Sequence, residues 1–146
     1  MSTRVSNFQT LDLLSFGSIA PTADADVLIG ADTKGSRGVL VAVVMGTFNG
    51  YHATGFARML LRHSDHASSG YAAVPLTDIE GEVAPLGAGN LFEQKEVIAT
   101  GDQVIRTYSY IGAHRYLAVR ADLHGGITGA PISAFVLGST PRQHGP

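Results

Sequence analysis

Val-Leu-Val-Ala-Val-Val-Met, residues 39–45, is the stretch that decides the fold of this chain. Valines make up most of it, and β-branched side chains suit the pleated surface of a strand. A glycine stands on each side of the stretch, at Gly38 and Gly46, and limits it to the length of one strand. A continuous apolar run of this length indicates a strand that is covered on both faces.

Short segments with strand-like patterns lie on both sides of this run. The segment 11–16 fits either a first strand or a helical turn, and the pattern alone does not decide between them. The pair Gly125-Gly126 predicts a hairpin, which would make the last three strands a meander. No window of eleven or more residues has a helical period. The predicted strands lie at 39–45, 54–62, 71–74, 91–98, 103–111, 116–123 and 132–137.

These strands and turns predict an all-β chain, folded as an antiparallel β-sandwich or a jelly-roll-like domain. At 146 residues the chain suits one domain, which we expect to span 11–140. Residues 1–10 are expected to form a flexible N-terminal arm, and residues 141–146 a C-terminal tail. A chain of this size buries enough surface to fold without a disulfide or metal to hold it together.

The composition excludes several classes of function. The chain has no cysteine, which removes disulfides, thiolate metal sites and cysteine nucleophiles. A net charge of −2 leaves no basic footprint for nucleic acid. No secretory signal follows the N-terminus, and no apolar run is long enough to span a bilayer. We therefore expect no nucleic-acid partner and no membrane.

Candidate chemistry is sparse along the chain. His63-Ser64-Asp65-His66 holds the residue types of nucleophilic hydrolysis, but sequence neighbours on a strand point to opposite faces and rarely form a triad. A turn is the preferred interpretation, because Ser and Asp accept backbone N–H bonds there. Asp24, Asp26 and Asp32 do not have the spacing of a calcium loop. The sequence therefore predicts no catalytic, cofactor-binding or metal site, and no enzyme.

Arginines and tyrosines cluster in the last third of the chain, and both residue types are favoured at interface hot spots. The alternative is ordinary cross-strand pairing on a half-solvated sheet face. The apolar segment 11–16 is a second interface candidate, as an arm or an interface strand. The predicted interface residues are Leu11, Leu13, Leu14, Phe16, Arg106, Tyr108, Tyr110, Arg115 and Tyr116.

Three phrases of the sequence carry a family resemblance. The first is a Tyr-x-Gly-x-x-Arg-Tyr-x-x-Val pattern, and the second joins Leu137-Gly138 to Pro141-Arg142. The third begins with Leu61 and Ser64-Asp65 and continues to Ser69-Gly70-Tyr71. Together they resemble small structural proteins of tailed bacteriophages, the capsid cement or decoration proteins. The residues of the first pattern are Tyr110, Gly112, Arg115, Tyr116 and Val119.

The resemblance implies a virion structural protein without cofactors. It would be made in the host cytoplasm and would bind the outer capsid surface as a homotrimer. There it would bridge neighbouring major capsid protein subunits and stabilise the head. A tail or neck component stays an alternative, as does a carbohydrate-binding β-sandwich module that would use Tyr51, Tyr71, Tyr108 and Tyr110 as aromatic platforms.

Two residues of the first pattern also have a physical interpretation. Gly112 is expected to permit a tight turn with positive φ. Arg115 is expected to make a charge-assisted bond to a carboxylate or a carbonyl.

Overall fold

A computed structural model describes residues 9–47, 55–81, 84–94, 98, 101–127 and 129–141. Nearly all regular structure in these residues is β, with one 3-10 turn at Leu76–Asp78. The strands are β1 (Gln9–Ile19), β2 (Ala25–Asp32), β3 (Gly38–Met45), β4 (Phe56–Ser64), β5 (Ala72–Ala73), β6 (Ile79–Gly81), β7 (Asn90–Gln94), β8 (Val104–Tyr110), β9 (Tyr116–His124) and β10 (Ile132–Pro141).

The strands form two antiparallel sheets that pack face to face. The first sheet has the order β1-β10-β3-β8-β6, and the second has the order β2-β9-β4-β5 with β7 also paired to β4. Strands pair from the chain ends inward, β1 with β10, β2 with β9, β3 with β8 and β4 with β7. This nested pairing across two sheets is the arrangement of a jelly roll. The predicted all-β sandwich is confirmed.

The core lies between the two sheets and is built from alternate residues of each strand. In the first sheet, Val41 of β3 lies beside Val136 of β10 and Tyr108 of β8, and all three side chains are buried. In the second sheet, Met59 of β4 pairs with Ala121 of β9, and both are fully buried. This alternation is the pattern of a sheet that covers a core with one face.

β3 differs from its sequence-based prediction. Val41, Val43 and Met45 are fully buried, whereas the alternate residues Leu40 and Val44 are only partly buried. The prediction that this strand is covered on both faces is therefore wrong for the single chain. The second sheet covers one face of the apolar run, and no described strand covers the other.

The predicted meander is also wrong. β8 and β10 lie in the first sheet on either side of β3, while β9 lies in the second sheet. The turns after β8 and β9 cross from one sheet to the other, so β8, β9 and β10 do not pair with one another. Local sequence marks a turn but does not show whether the chain reverses within a sheet or crosses between sheets.

Several strands and strand boundaries could be assigned only from the structure and not from the sequence. The segment 11–16 is part of a strand, β1, and not a helical turn. β2 and β6 were not predicted, whereas the short strand expected at 71–74 is present as β5. Of the expected arm, residues 1–8 lie outside the described residues, as do 142–146 of the expected tail.

A bulge shapes the first strand. The register between β1 and β10 shifts between Leu13 and Ser15, so Leu14 is an extra residue with no partner on β10. Leu14 packs against the core beside Gly138, where an added Cβ would lie 2.8 Å from its Cδ1 atom. The bulge keeps Phe16 on the same face as Leu13, because their partners on β10 are two residues apart.

Candidate interaction surface

One face of the first sheet points away from the core, and we call it the outer face. The pairing register assigns residues of β1, β10, β3 and β8 to it. On these four strands none of the outward residues is charged, the majority are apolar, and the polar ones are Ser or Thr. β6, at the edge of the sheet, adds one charged residue to the face, the exposed Glu80, which pairs with Ser109. The outer-face residues of the four strands are Leu11, Leu13, Phe16, Ser18, Leu40, Ala42, Val44, Ile105, Thr107, Ser109, Ser133, Phe135 and Leu137.

The apolar side chains of this face meet solvent. Leu11 is 61% exposed, Leu13 58% and Phe16 53% on β1, and Ile105 is 55% exposed on β8 at the opposite side of the face. The rings of Phe16 and Phe135 lie 5.0 Å apart and link β1 to β10. A half-exposed antiparallel sheet normally turns polar side chains to water, so this face departs from the usual pattern.

The outer face is large. Four strands spaced about 4.8 Å apart, each rising about 3.3 Å per residue over eight residues, span roughly 500 Å², and most of the residues on this area are apolar. Large exposed apolar patches on monomeric proteins are often functional. The structure therefore offers a largely apolar surface, with one charged residue at its edge, that is suited to contact with another protein.

The predicted interface residues of β1 divide between two positions. Leu11, Leu13 and Phe16 lie on the outer face, as an exposed interface strand requires. Leu14 instead turns toward the core at the bulge.

The predicted interface tyrosines of β8 lie inside the sandwich. Tyr108 and Tyr110 are 1% and 4% exposed, so their assignment to a surface contact is wrong. They lie on the inward side of β8, where the Tyr108 hydroxyl donates a hydrogen bond to the Leu91 carbonyl over 3.2 Å. Burial raises the pKa of Tyr108 to about 12, which keeps it a neutral donor. Arg106 lies on the same side, with its guanidinium 5.8 Å from the centre of the Phe92 ring.

Arg115 makes the charge-assisted bond that its sequence position predicted. Its guanidinium donates Nε and Nη2 to the two oxygens of Asp32 over 2.9 and 2.8 Å, and it also lies over the half-buried ring of Tyr116. These hydrogen bonds hold the pKa of Asp32 down at about 2. The pair fastens the end of β2 to the start of β9, so Arg115 already has a partner within its own chain.

The segment His63–His66 spans the end of a strand and the start of a turn: His63 and Ser64 are the last residues of β4, and the predicted turn begins at Asp65. Ser64 ends β4, and its hydroxyl accepts the His66 backbone N–H over 3.0 Å while it donates to the Ser69 carbonyl. Both hydrogen bonds of the Ser64 hydroxyl are therefore to the backbone, and neither is to a histidine ring.

The histidines join a cluster that the sequence did not show. The Tyr110 hydroxyl lies 2.9 Å from His63 Nδ1 and accepts the His114 backbone N–H over 3.1 Å. The rings of His63 and His114 are 4.0 Å apart, and His114 Nδ1 lies 3.0 Å from an oxygen of Asp65. Burial and the neighbouring His114 lower the pKa of His63. Tyr110 and His63 are 47 residues apart in sequence, so no local motif predicts their contact.

Gly112 is required for a different reason from the one predicted. Its φ does not fall in the positive range that eight other glycines of the described residues adopt, such as Gly125. A Cβ at residue 112 would instead lie 2.5 Å from the Tyr110 hydroxyl. The glycine of this pattern therefore makes room for the tyrosine that bonds to His63 and His114.

A depression of about 690 Å³ lies beside this cluster, between residues 33–39 and 109–115. The charged and titratable side chains that line it include Lys34, Arg37, Glu80 and His114.

Among the described residues no group of three or more His, Asp or Glu side chains is placed to hold a metal ion. The three aspartates considered as calcium ligands have other partners, since Asp24 accepts the Leu123 N–H and Asp26 lies 3.8 Å from Arg120.

The tyrosines considered for a carbohydrate platform are not assembled on one surface. Tyr108 and Tyr110 are buried, and the Tyr71 hydroxyl is bonded to Gly30 and Ala67. Tyr51 lies outside the described residues.

Within the described part of the chain, no helix has the length and apolarity needed to cross a membrane. Comparison with protein-family models and with curated proteins gives no match for this chain.

Proposed function

We propose that this chain is a virion structural protein, a capsid cement protein that bridges neighbouring major capsid protein subunits on the outer surface of a phage head. The observation that carries the proposal is the outer face, a surface with exposed apolar side chains and a single charged residue, Glu80, at its edge. A surface of this kind serves contact between proteins, because charged residues are depleted at the centres of interfaces. The phage-like phrases around Tyr110 and Gly138 supply the kind of assembly.

Stabilisation of a head needs no active site. A cement protein acts by covering the junctions between subunits, and repeated weak contacts over a symmetric lattice add up through multivalency. Each contact then needs only modest area. The absence of a nucleophile–base arrangement at His63–His66 is compatible with this mechanism, since its serine bonds to the backbone.

The experiment is to assemble heads with and without this chain. A major capsid protein from the same phage would be expressed alone or together with this chain, and the particles would be purified and heated. We expect this chain to sediment with the heads in fixed stoichiometry and to raise the temperature at which they rupture. A chain that stays in the supernatant at micromolar concentration would contradict the proposal.

Electron microscopy of the same particles separates the head from the tail or neck. Density that depends on this chain and covers the head surface supports a cement protein. Density confined to the neck or tail would make the chain a structural protein of that part of the virion.

A further inference from the structure

We infer that the outer face of the first sheet binds the same face of a second copy of this chain, which makes a dimer with two-fold symmetry. The inference rests on the proposed function for the outer face as an interface between proteins. It assigns that face to a second copy of this chain, so the dimer would meet the capsid through its other surfaces. It follows from three properties of the face: its sequence pattern, its uncharged centre and its dimensions.

The sequence pattern of the two central strands is that of strands with a cover on each side. β3 is apolar at every position from Val39 to Met45. On β10, the outward Phe135 and Leu137 alternate with the buried Ala134 and Val136. Strands covered on both faces have such continuous apolar runs, whereas strands with one wet face alternate. The second sheet supplies one cover, and the pattern calls for a further layer over the outer face.

The uncharged centre of the face favours an identical partner. A second copy presents the same apolar centre, and the four strands β1, β10, β3 and β8 carry no charged side chain on the outer face that stacking would bury. The one charged residue of the face, Glu80, lies on the edge strand β6 and is exposed, so it belongs to the rim of such a contact. Ser18 and Ser133 lie near one end of the face and hydrogen-bond to each other over 3.1 Å, so these hydroxyls already have partners. Two such faces can pack at about 10 Å without burying a charge at their centre.

The dimensions of the face agree with a dimer. Each copy contributes roughly 500 Å², so face-to-face packing buries roughly 1,000 Å² in total, which is the lower limit for a specific interface. The exposed apolar residues lie at both sides of the sheet, Leu13 on β1 and Ile105 on β8. Only a partner as broad as the sheet covers both at once, and an identical sheet has that breadth.

Face-to-face contact fixes the symmetry. A surface that meets its own copy gives a closed two-fold dimer, whereas a trimer needs two different surfaces on each chain. The dimer inferred here therefore differs from the homotrimer that the phage resemblance implies. The two assemblies are distinguished by mass.

The test is sedimentation equilibrium of the purified full chain, without capsids, from 1 to 100 μM. We expect twice the chain mass of 15.3 kDa at the upper concentrations. Leu13→Asp and Ile105→Asp, at positions 58% and 55% exposed, should shift dissociation to at least tenfold higher concentration. The matched control is Ile29→Asp, on a strand of the second sheet and 49% exposed, which should remain a dimer.

Circular dichroism and thermal melting establish that each variant folds before its mass is interpreted. A monomer at 100 μM, a trimer, or a dimer that is insensitive to both outer-face substitutions would overturn the inference. The proposed function can fail independently of the dimer. If the chain is a dimer but does not bind assembled heads, the inference holds and the proposed function fails. If the chain is a monomer that binds assembled heads, the proposed function holds and the inference fails.

Discussion

Tyr110 is the residue whose surroundings decide how one end of the sandwich is held together. Its hydroxyl accepts the His114 N–H, so its own proton is available for His63 Nδ1. The network therefore assigns a neutral His63 with its proton on Nε2. The bond joins β8 to β4 across the core, since Tyr110 ends β8 and His63 lies near the end of β4.

Acid should weaken this arrangement, which gives a prediction at the scale of one residue. Burial and the nearby His114 lower the pKa of His63 below its ordinary value of 6.5, while Asp78 and Asp65 act in the opposite direction. Below pH 6.5 the unfolded chain takes up a proton at this histidine that the folded chain resists, so stability falls as the pH drops. We expect a lower melting temperature at pH 5.5 than at pH 7.5.

The His63→Gln variant isolates this effect, because glutamine can accept the tyrosine hydrogen bond through its side-chain oxygen but does not titrate. Its melting temperature should fall less than that of the wild type between pH 7.5 and 5.5. An equal fall in both proteins would show that other groups cause the pH dependence.

Single residues also show where prediction from sequence reached its limit. The bond from Arg115 to a carboxylate followed from its position at the start of a strand. The role of Gly112 did not, because the tyrosine hydroxyl that needs the space is placed by the packing of β8 against β4. Contacts between distant residues depend on the fold, and local patterns do not contain them.

At the scale of elements, the β1 bulge matters most, because it sets which side chains reach the outer face. The extra residue Leu14 points into the sandwich and lets Leu13 and Phe16 share the outward side. Space for Leu14 comes from the lack of a side chain at Gly138. The bulge and this glycine therefore work as one unit.

We predict that Gly138→Ala destabilises the chain. The new Cβ would lie 2.8 Å from Leu14 Cδ1 and would also overlap the Ser36 hydroxyl, and overpacking of this kind costs about 1–3 kcal/mol of the free energy of unfolding. Chemical denaturation measures the change. Gly87→Ala is the control, because a Cβ there meets nothing within 4 Å. Equal stability of the two variants would refute this account of the bulge.

The elements that could be predicted from sequence are the ones with strong periodicity. β3, β4, β8 and β9 lie within a few residues of their predicted positions, because apolar alternation and flanking glycines mark them. β6 has three residues and β2 contains two register shifts, so neither shows a clean period of two. The meander failed for another reason, since pairing partners in a jelly roll come from opposite ends of the chain.

At the scale of the whole molecule, the sequence and the single chain disagree about the first sheet, and the disagreement is informative. Residues 39–45 have the pattern of a strand covered twice, and the fold covers it once. The sequence pattern and the single cover in the fold together indicate a layer supplied from outside the chain. The proposed function depends on that further layer more than on any individual side chain.

The most direct test is the accessibility of the outer face in solution. Because the chain has no cysteine, Ala42→Cys places a single thiol at the middle of that face, and Ile29→Cys places a single thiol at an exposed position of the second sheet. We expect a maleimide to label the residue 42 thiol at least tenfold more slowly at 100 μM than at 1 μM protein, and the residue 29 thiol equally fast at both concentrations. Adding Leu13→Asp should remove that protection. Rapid labelling of residue 42 at 100 μM, unchanged by Leu13→Asp or by assembled heads, would contradict the claim that another protein covers this face.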